Sequence, residues 1–137
     1  MRFVLDSSVT VAWLYREEKS HIADEIFASL IHTGAWVPDL WHLEVANVLQ
    51  MGIRRQRHAA DFRDRMFSDL SNLPIHVDPE THRQAWGATA QLAEKHDLTL
   101  YDSAYLELAL RRGLALATFD EELREAAAGE GVALLGL

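Results

Sequence analysis

The hydrophobic and polar positions of this chain alternate between short apolar runs and longer amphipathic segments. The apolar runs predict buried strands at residues 2–5, 35–37, 75–77, 114–117 and 132–135. Apolar residues at helical spacing predict helices over residues 9–16, 20–32, 40–57, 59–71, 80–96, 100–112 and 121–128. Short apolar strands that alternate with helices are typical of a parallel sheet covered on both faces. The pattern therefore predicts an α/β fold.

Several residues mark where these elements begin and end. Pro38 stops the second strand, because proline lacks the N–H that donates to a sheet. Asp39 is then expected to cap the helix that runs to about Arg57. Thr99 should cap the helix of residues 100–112, and Gly113 should end it.

The composition limits the class of protein. With 137 residues and no linker or repeat, residues 1–137 are expected to form a single domain. The chain has no cysteine, which excludes disulfides and thiolate metal sites and fits a cytoplasmic location. Neither a signal peptide nor a membrane-spanning run is evident in the sequence. We therefore expect a soluble cytoplasmic protein.

Four carboxylates occupy positions that a parallel α/β fold would bring together. Asp6 and Asp120 follow apolar strands, whose carboxyl ends form the usual ligand site of such sheets. Glu44 and Asp102 lie in helical segments that are otherwise largely apolar. Burying an ionised carboxylate without a partner costs several kcal/mol or more, and no cationic partner is evident. A bound metal ion is the partner that this pattern predicts.

Each acid also has a purely structural explanation. Asp6 and Asp120 could cap the helices that follow them, and Asp102 could be the acid of a capping box that begins at Thr99. Glu44 is harder to explain in this way, because with Asn47 and Gln50 it belongs to a polar stripe on an apolar helix. Burial of that stripe without a ligand would be costly, so Asn47 is a candidate supporting residue.

The ligand types and missing motifs narrow the chemistry. Oxygen ligands without cysteine or a His-Glu-x-x-His pair favour Mg²⁺ or Mn²⁺ over zinc. Such ions usually act on phosphate groups, where they activate an attacking water. The chain lacks a phosphate-binding glycine loop and a serine-hydrolase motif. Phosphoryl chemistry with a metal-activated water is therefore what these residues suggest.

The charge distribution bears on the substrate. A net charge of −8 argues against broad nucleic-acid binding, although a bound cation would neutralise part of it. Arg54, Arg55 and Arg57 form a local basic cluster that could steer a nucleic-acid backbone. A solvated helix end explains the same cluster equally well.

Four segments together resemble the PIN-domain ribonucleases, and more narrowly the VapC-type toxins of toxin–antitoxin pairs. The opening segment resembles that family's strand ending in Asp-x-Ser, and the other three resemble its glutamate helix, its third-acid helix and its closing Thr-x-Asp segment. They are residues 3–8, 43–49, 100–109 and 117–123. Their order and spacing carry more weight than any one of them.

The resemblance implies a three-layer α/β/α fold with a central five-stranded parallel sheet. It implies a metal held by Asp6, Glu44, Asp102 and often Asp120, with Thr118 and either Ser7 or Ser8 as supporting hydroxyls. Metal-activated water would then cleave RNA to leave a 5′-phosphate and a 3′-hydroxyl. It also implies an antitoxin that covers the groove beside the first helices and places a basic side chain against the acids.

Other functions stay open at this point. The segment from Asp6 to Thr10 is also similar to haloacid-dehalogenase phosphatases, but their second aspartate would fall at Ser8. An RNA-processing PIN nuclease and a non-catalytic binding domain are further alternatives. We also expect a homodimer, because apolar helical residues exceed what one small domain readily buries. These residues are Trp13, Leu14, Tyr15, Ile31 and Trp41.

Overall fold

The computed structural model describes residues 2–15 and 20–136, which contain a parallel sheet in the order β3-β2-β1-β4. The strands are β1 (Phe3–Leu5), β2 (Ala35–Val37), β3 (Ile75–Val77) and β4 (Ala115–Ala117). The predicted α/β class with a parallel sheet is confirmed, but the sheet has four strands instead of five. Residues 132–135 form only one parallel bridge, between Leu134 and Leu116. Glycines with left-handed φ of 76° and 79° at positions 131 and 136 bracket that segment, so it stays short.

Eight helices connect and cover the strands in the described part of the chain. They are α1 (Ser7–Leu14), α2 (His21–Thr33), α3 (Trp41–Arg54), α4 (Ala60–Ser71), α5 (Thr81–Gln84), α6 (Ala88–His96), α7 (Leu100–Arg112) and α8 (Glu121–Gly129). The single helix predicted over residues 80–96 is wrong, because Gly87 leaves helical geometry and separates α5 from α6. The predicted end of the first helix at residue 16 lies outside the described residues.

The helix ends follow the capping rules only in part. Thr99 Oγ1 accepts a hydrogen bond from the Asp102 amide, and Gly113 ends α7 with a φ of 64°, as predicted. The predicted cap at Asp39 is wrong, because Leu40 holds the N-cap position of α3 without a side-chain hydrogen bond. The helix α1 begins at Ser7, two residues earlier than predicted, so Asp6 stands at its N-cap position.

The central strands are buried on both faces. Phe3, Val4 and Leu5 of β1 are fully inaccessible, and successive strand residues point to opposite faces of a sheet. Helices therefore cover both sides of the sheet, and α7 packs on β1 and β4. None of the described helices is long and apolar enough to cross a membrane. The parallel pairing of β1 with β4 places the carboxyl ends of these two strands next to each other.

Candidate functional site

Asp6 is the most deeply buried acid of the site. It follows β1, and its backbone amide donates to the Ala117 carbonyl at the end of β4. The hydroxyls of Ser8 and Thr118 both donate to Asp6 Oδ2, at 2.6 and 2.7 Å. Only 3% of Asp6 is exposed, and this burial raises the pKa of its carboxyl although both hydroxyls oppose the rise. The side chain makes no capping hydrogen bond to α1, so capping does not account for it.

A small network of hydroxyls and amides surrounds Asp6. Thr118 Oγ1 accepts from the Asp120 amide at 3.1 Å while it donates to Asp6. Ser8 Oγ accepts from the Phe119 amide at 3.0 Å while it donates to the same aspartate. Of the two serines proposed as supporting hydroxyls, Ser8 therefore contacts the buried carboxylate through its side chain. Each hydroxyl uses both its donor and its acceptor capacity, which fixes the position of Asp6.

Glu44 lies on α3 and reaches α7 through a hydrogen bond. The Tyr105 hydroxyl donates to Glu44 Oε1, and Tyr105 is fully buried. The pKa of Glu44 is raised by its partial burial and by the nearby charges of Asp6 and Asp102, and the bond from Tyr105 opposes this rise. The electrostatic influence of both aspartates places all three acids within one region.

Asp102 and Asp120 complete the group of four. Burial and then the charges of Asp6 and Asp120 raise the pKa of Asp102. Asp120 Oδ1 accepts from the Leu123 amide at 3.0 Å and so caps α8, which is the structural explanation that the sequence allowed. The same residue also faces the cavity that Asp6 and Asp102 line, so capping does not remove it from the site.

A cavity of about 480 Å³ joins three of the acids to an apolar wall. The acids and the two serines form one part of its lining, and the remaining part is aliphatic and aromatic. The lining residues are Asp6, Ser7, Ser8, Asp102, Asp120, Val11, Ala12, Val48 and Phe119. A lining that combines a few polar groups with apolar side chains is typical of small-ligand sites.

Asn47 does not belong to this cavity. It is exposed, as is Gln50, and both line a separate groove with Arg63 between α3 and α4. The expectation that the polar stripe of α3 is buried is therefore wrong for these two positions. The stripe turns away from the acids because α3 packs its opposite side, including Val45 and Leu49, into the core.

The carboxylate and hydroxyl oxygens of this site are the atoms that could hold a metal ion. In residues 2–15 and 20–136, no ion pair involves any of the four acids, so their charges are not neutralised by a described cationic side chain. Hard carboxylate and hydroxyl oxygens suit Mg²⁺ or Mn²⁺. Within the same ranges, no three Asp, Glu or His side chains are placed to ligate one ion together. The donor chemistry fits Mg²⁺ or Mn²⁺, because such an ion keeps several waters and can be held by the acids partly through them.

The predicted basic cluster lies at the end of α3. Arg54, Arg55 and Arg57 are exposed, but Arg57 packs its guanidinium 3.6 Å from the ring centre of Tyr15. The Tyr15 hydroxyl also bonds His58 Nε2 at 2.8 Å. Arg57 therefore has a packing contact in the fold. The guanidinium of Arg54 makes one described hydrogen bond, to the sulfur of Met51.

The apolar residues on which the homodimer was predicted are mostly part of the core. Leu14, Tyr15 and Trp41 are buried, and Trp13 is half-buried. Trp41 is accommodated because its indole N–H donates to the buried Thr10 hydroxyl at 3.1 Å. Only Ile31, which is 54% exposed, fits the expectation of an apolar surface.

Two functional features were not found from the sequence. Tyr105 lies within the third family-like segment, residues 100–109, but the contact of its hydroxyl with Glu44 was not predicted. Its position three residues after Asp102, on the same face of α7, was the available signal. Phe119 occupies the variable position between Thr118 and Asp120, and its place in the cavity lining was not predicted.

Comparison with known proteins agrees with this arrangement. The PIN domain profile matches residues 3–129. The protein named ribonuclease VapC3, from Pyrobaculum aerophilum, is 33% identical over 131 residues, which cover 91% of this chain and 94% of that protein.

Solved structures show the same fold at lower identity. A Pyrobaculum aerophilum protein superposes with a TM-score of 0.66 at 20% identity, covering 98% of this chain and 89% of the other. The structure of VapBC2 from Rickettsia felis, bound to a DNA fragment from its promoter, superposes with a TM-score of 0.65 at 14% identity. The match covers 98% of this chain and 97% of the other. FitAcB from Neisseria gonorrhoeae superposes with a TM-score of 0.58 at 18% identity, and the match covers 98% of this chain and 96% of the other.

Proposed function

Because this chain belongs to the PIN-domain family, we propose that it is a divalent-metal-dependent endoribonuclease and the toxin of a toxin–antitoxin pair. The observation that carries this proposal is the buried Asp6 carboxylate, which has hydroxyl partners but no described cationic one. A charge in that position needs a cation to be stable at neutral pH. The relationship to a protein named ribonuclease VapC3, at 33% identity, supports the choice of RNA.

Three of the four acids would bind the ion, and the fourth would have a smaller part. Asp6, Glu44 and Asp102 would bind Mg²⁺ or Mn²⁺, and Asp120 would contribute through the carboxylate oxygen that does not cap α8, or through a water. Bound there, a divalent ion would supply Lewis-acid chemistry, which would polarise the phosphodiester and lower the pKa of an attacking water. Mg²⁺ commonly keeps several waters and takes few protein ligands, so the donor set is sufficient.

The other side chains position the acids. Ser8 and Thr118 hold Asp6 Oδ2, and Tyr105 holds Glu44 Oε1, which limits how far these carboxylates can rotate. Attack in line with the P–O3′ bond would break that bond, leaving the water oxygen on a 5′-phosphate and a proton on the 3′-hydroxyl. Arg54 and Arg55 would attract the RNA backbone from the end of α3.

A cognate antitoxin is the proposed protein partner. Its basic side chain would meet the same acids, and an arginine there could bind a carboxylate with two hydrogen bonds in place of the metal. The Rickettsia felis neighbour, described as VapBC2 with promoter DNA, is consistent with such a pair. We propose that the protein acts on cellular RNA in the cytoplasm and forms a homodimer, in which the exposed Ile31 of α2 is a candidate contact.

Growth and RNA ends test this function together. Expression of the wild-type chain alone should stop growth, and expression of Asp6→Asn at the same level should not. Sequencing the 5′ ends of RNA from these cells would identify the target. Harmless wild-type expression, from a folded protein that cleaves RNA in vitro, would contradict the toxin role and favour an RNA-processing nuclease.

A further inference from the structure

The cavity beside the acids has two chemically different parts. Asp6, Asp102 and Asp120 form its acidic part. Val11, Ala12, Val48 and Phe119 form the apolar part of the same lining, which we call the apolar wall. A metal ion and a phosphate would use the acidic part, but neither has any need of an aliphatic and aromatic surface. The apolar wall therefore suits a ligand that also has an apolar component.

The backbone of Phe119 is held by the same hydrogen-bond network that holds Asp6. Its amide donates to Ser8 Oγ at 3.0 Å, and Ser8 in turn donates to Asp6. Its neighbours Thr118 and Asp120 both belong to the site. The ring is partly buried against the core and partly open to the cavity. A ligand on the apolar wall would therefore lie directly beside the reacting phosphate.

We propose that the apolar wall is a nucleobase subsite, which takes an unpaired base of the nucleotide adjoining the cleaved phosphodiester. The proposal rests on the proposed ribonuclease function. An RNA nucleotide carries a flat base and a charged phosphate next to each other, which matches the two parts of the cavity. Single-strand binding sites use aromatic rings as stacking surfaces for bases. The volume of about 480 Å³ falls in the usual range for small-ligand sites.

The proposal has a consequence for the substrate class. A base reaches the apolar wall only when it is unstacked from its neighbours, as in a loop or a single strand. Paired bases of a duplex cannot enter while their phosphate lies at the acids. The protein should therefore cleave single-stranded or looped RNA and leave perfect duplexes intact.

Phe119→Ala and Phe119→Leu test the wall on an RNA whose cleavage position has been mapped with the wild-type protein. Both variants keep the acids, and Phe119→Leu also keeps most of the apolar volume while it removes the flat ring. Loss of stacking should raise KM about tenfold in Phe119→Ala and leave kcat nearly unchanged. Phe67→Ala is the matched control, because Phe67 is a partly exposed ring outside this cavity. It should leave both constants unchanged.

Substrates that lack a base separate stacking from a structural effect. RNAs with an abasic residue on the 5′ or the 3′ side of the cleaved bond should be cleaved with a raised KM by the wild type. One of these two RNAs should show no further rise with Phe119→Ala or Phe119→Leu, which identifies the nucleotide on the apolar wall. A variant that loses the same factor on intact and on both abasic RNAs would overturn the proposal.

The outcomes for the base subsite and for the ribonuclease activity are distinguishable. If the wild type cleaves no RNA, the ribonuclease proposal fails and the base subsite fails with it. If the wild type cleaves and both Phe119 variants keep its KM, only the base subsite is overturned, and the apolar wall would instead suit a side chain of a protein partner. Circular dichroism melts check that each variant is folded at the assay temperature.

Discussion

The Tyr105 hydroxyl donates a hydrogen bond to Glu44 Oε1 and so joins α7 to α3 across 61 positions of the sequence. Both helices also carry proposed metal ligands, Asp102 on α7 and Glu44 on α3. Tyr105 is fully buried, and its pKa is raised by burial and by the nearby acids, so it remains a donor at any ordinary pH. This contact fixes the orientation of Glu44 before any ion binds.

Tyr105→Phe removes that contact and keeps the ring. Because partners that orient a ligand typically contribute 10- to 100-fold to metal affinity, we expect Mn²⁺ to bind roughly tenfold more weakly. The free energy of unfolding should fall by only about 1 kcal/mol. Calorimetric titration with Mn²⁺ measures the first effect and urea unfolding the second. Tyr101→Phe is the control, because Tyr101 is exposed, and equal Mn²⁺ affinity in all three proteins would contradict this role.

Asp6→Asn should stabilise the metal-free protein at neutral pH while it abolishes cleavage. Burial raises the pKa of Asp6, so the folded state favours the protonated carboxyl. The stability from this group is present in full below the unfolded pKa and is lost as the pH rises through the folded-state pKa. Asparagine mimics the neutral form and keeps an acceptor for Ser8 and Thr118.

Thermal melts in EDTA across a pH series check this expectation. The Tm of Asp6→Asn should exceed that of the wild type at pH 7, and the two should approach each other as the pH falls below the ordinary carboxyl range. Asp39→Asn, at an exposed position, should show neither effect. A lower Tm for Asp6→Asn than for the wild type at pH 7 would contradict the claim that burial makes the ionised Asp6 carboxylate unfavourable.

Arg54→Ala and Arg55→Ala should weaken RNA binding to a similar degree on every sequence. Each lost phosphate contact should reduce the slope of log affinity against log salt by roughly 1. Arg57→Ala will also disturb the packing on Tyr15, so its effect includes a loss of stability. Filter binding at several salt concentrations measures the slope, with Arg83→Ala on α5 as the control. Unchanged slopes in Arg54→Ala and Arg55→Ala would leave the cluster as a solvated helix end.

Asp78 supports the fold at a distance from these changes. It is fully buried, and Arg111 donates to both of its oxygens at 3.0 and 2.7 Å, while Arg112 Nε donates at 3.0 Å. Although burial opposes its ionisation, these arginines hold the pKa of Asp78 below its usual value. Its contribution to stability is therefore present above the unfolded pKa and is lost as the pH falls through the folded-state pKa.

Asp78→Asn should lower the free energy of unfolding by about 3 kcal/mol at pH 7, because it removes the buried anion that Arg111 and Arg112 share and leaves Arg111 only its pair with Glu107. The difference from the wild type should shrink below about pH 4. Urea unfolding at pH 7 and at lower pH measures both. Asp64→Asn, which breaks an exposed pair with Arg63, should cost about 0.5 kcal/mol or less. A pH-independent difference for Asp78→Asn would contradict the ionic origin of its contribution.

The sequence alone indicates where two of the four proposed site acids lie, because their positions depend on strand ends. Asp6 and Asp120 follow β1 and β4, and parallel strands end at the same edge of the sheet. The side-chain partners were harder to predict, since they depend on packing between distant segments. Trp41 is buried because Thr10 accepts its N–H, and periodicity within α3 carries no information about that acceptor.

The errors in the fold have similar causes. The break at Gly87 follows from the low helix propensity of glycine, which the apolar spacing of the surrounding residues concealed. The segment expected as a fifth strand has the right composition, but a strand also requires a paired neighbour along its length. Glycines at 131 and 136 restrict that pairing to one bridge at Leu134.

The chemistry of the cleaved RNA ends tests the central claim most directly. Purified wild-type protein should cleave RNA with Mg²⁺ or Mn²⁺, leave 5′-phosphate and 3′-hydroxyl ends, and lose activity in EDTA. Asp6→Asn, prepared in the same way, should be inactive with either ion although it is folded. Cleavage that persists in EDTA, or products that carry a 2′,3′-cyclic phosphate, would contradict a metal-dependent hydrolysis at these four acids.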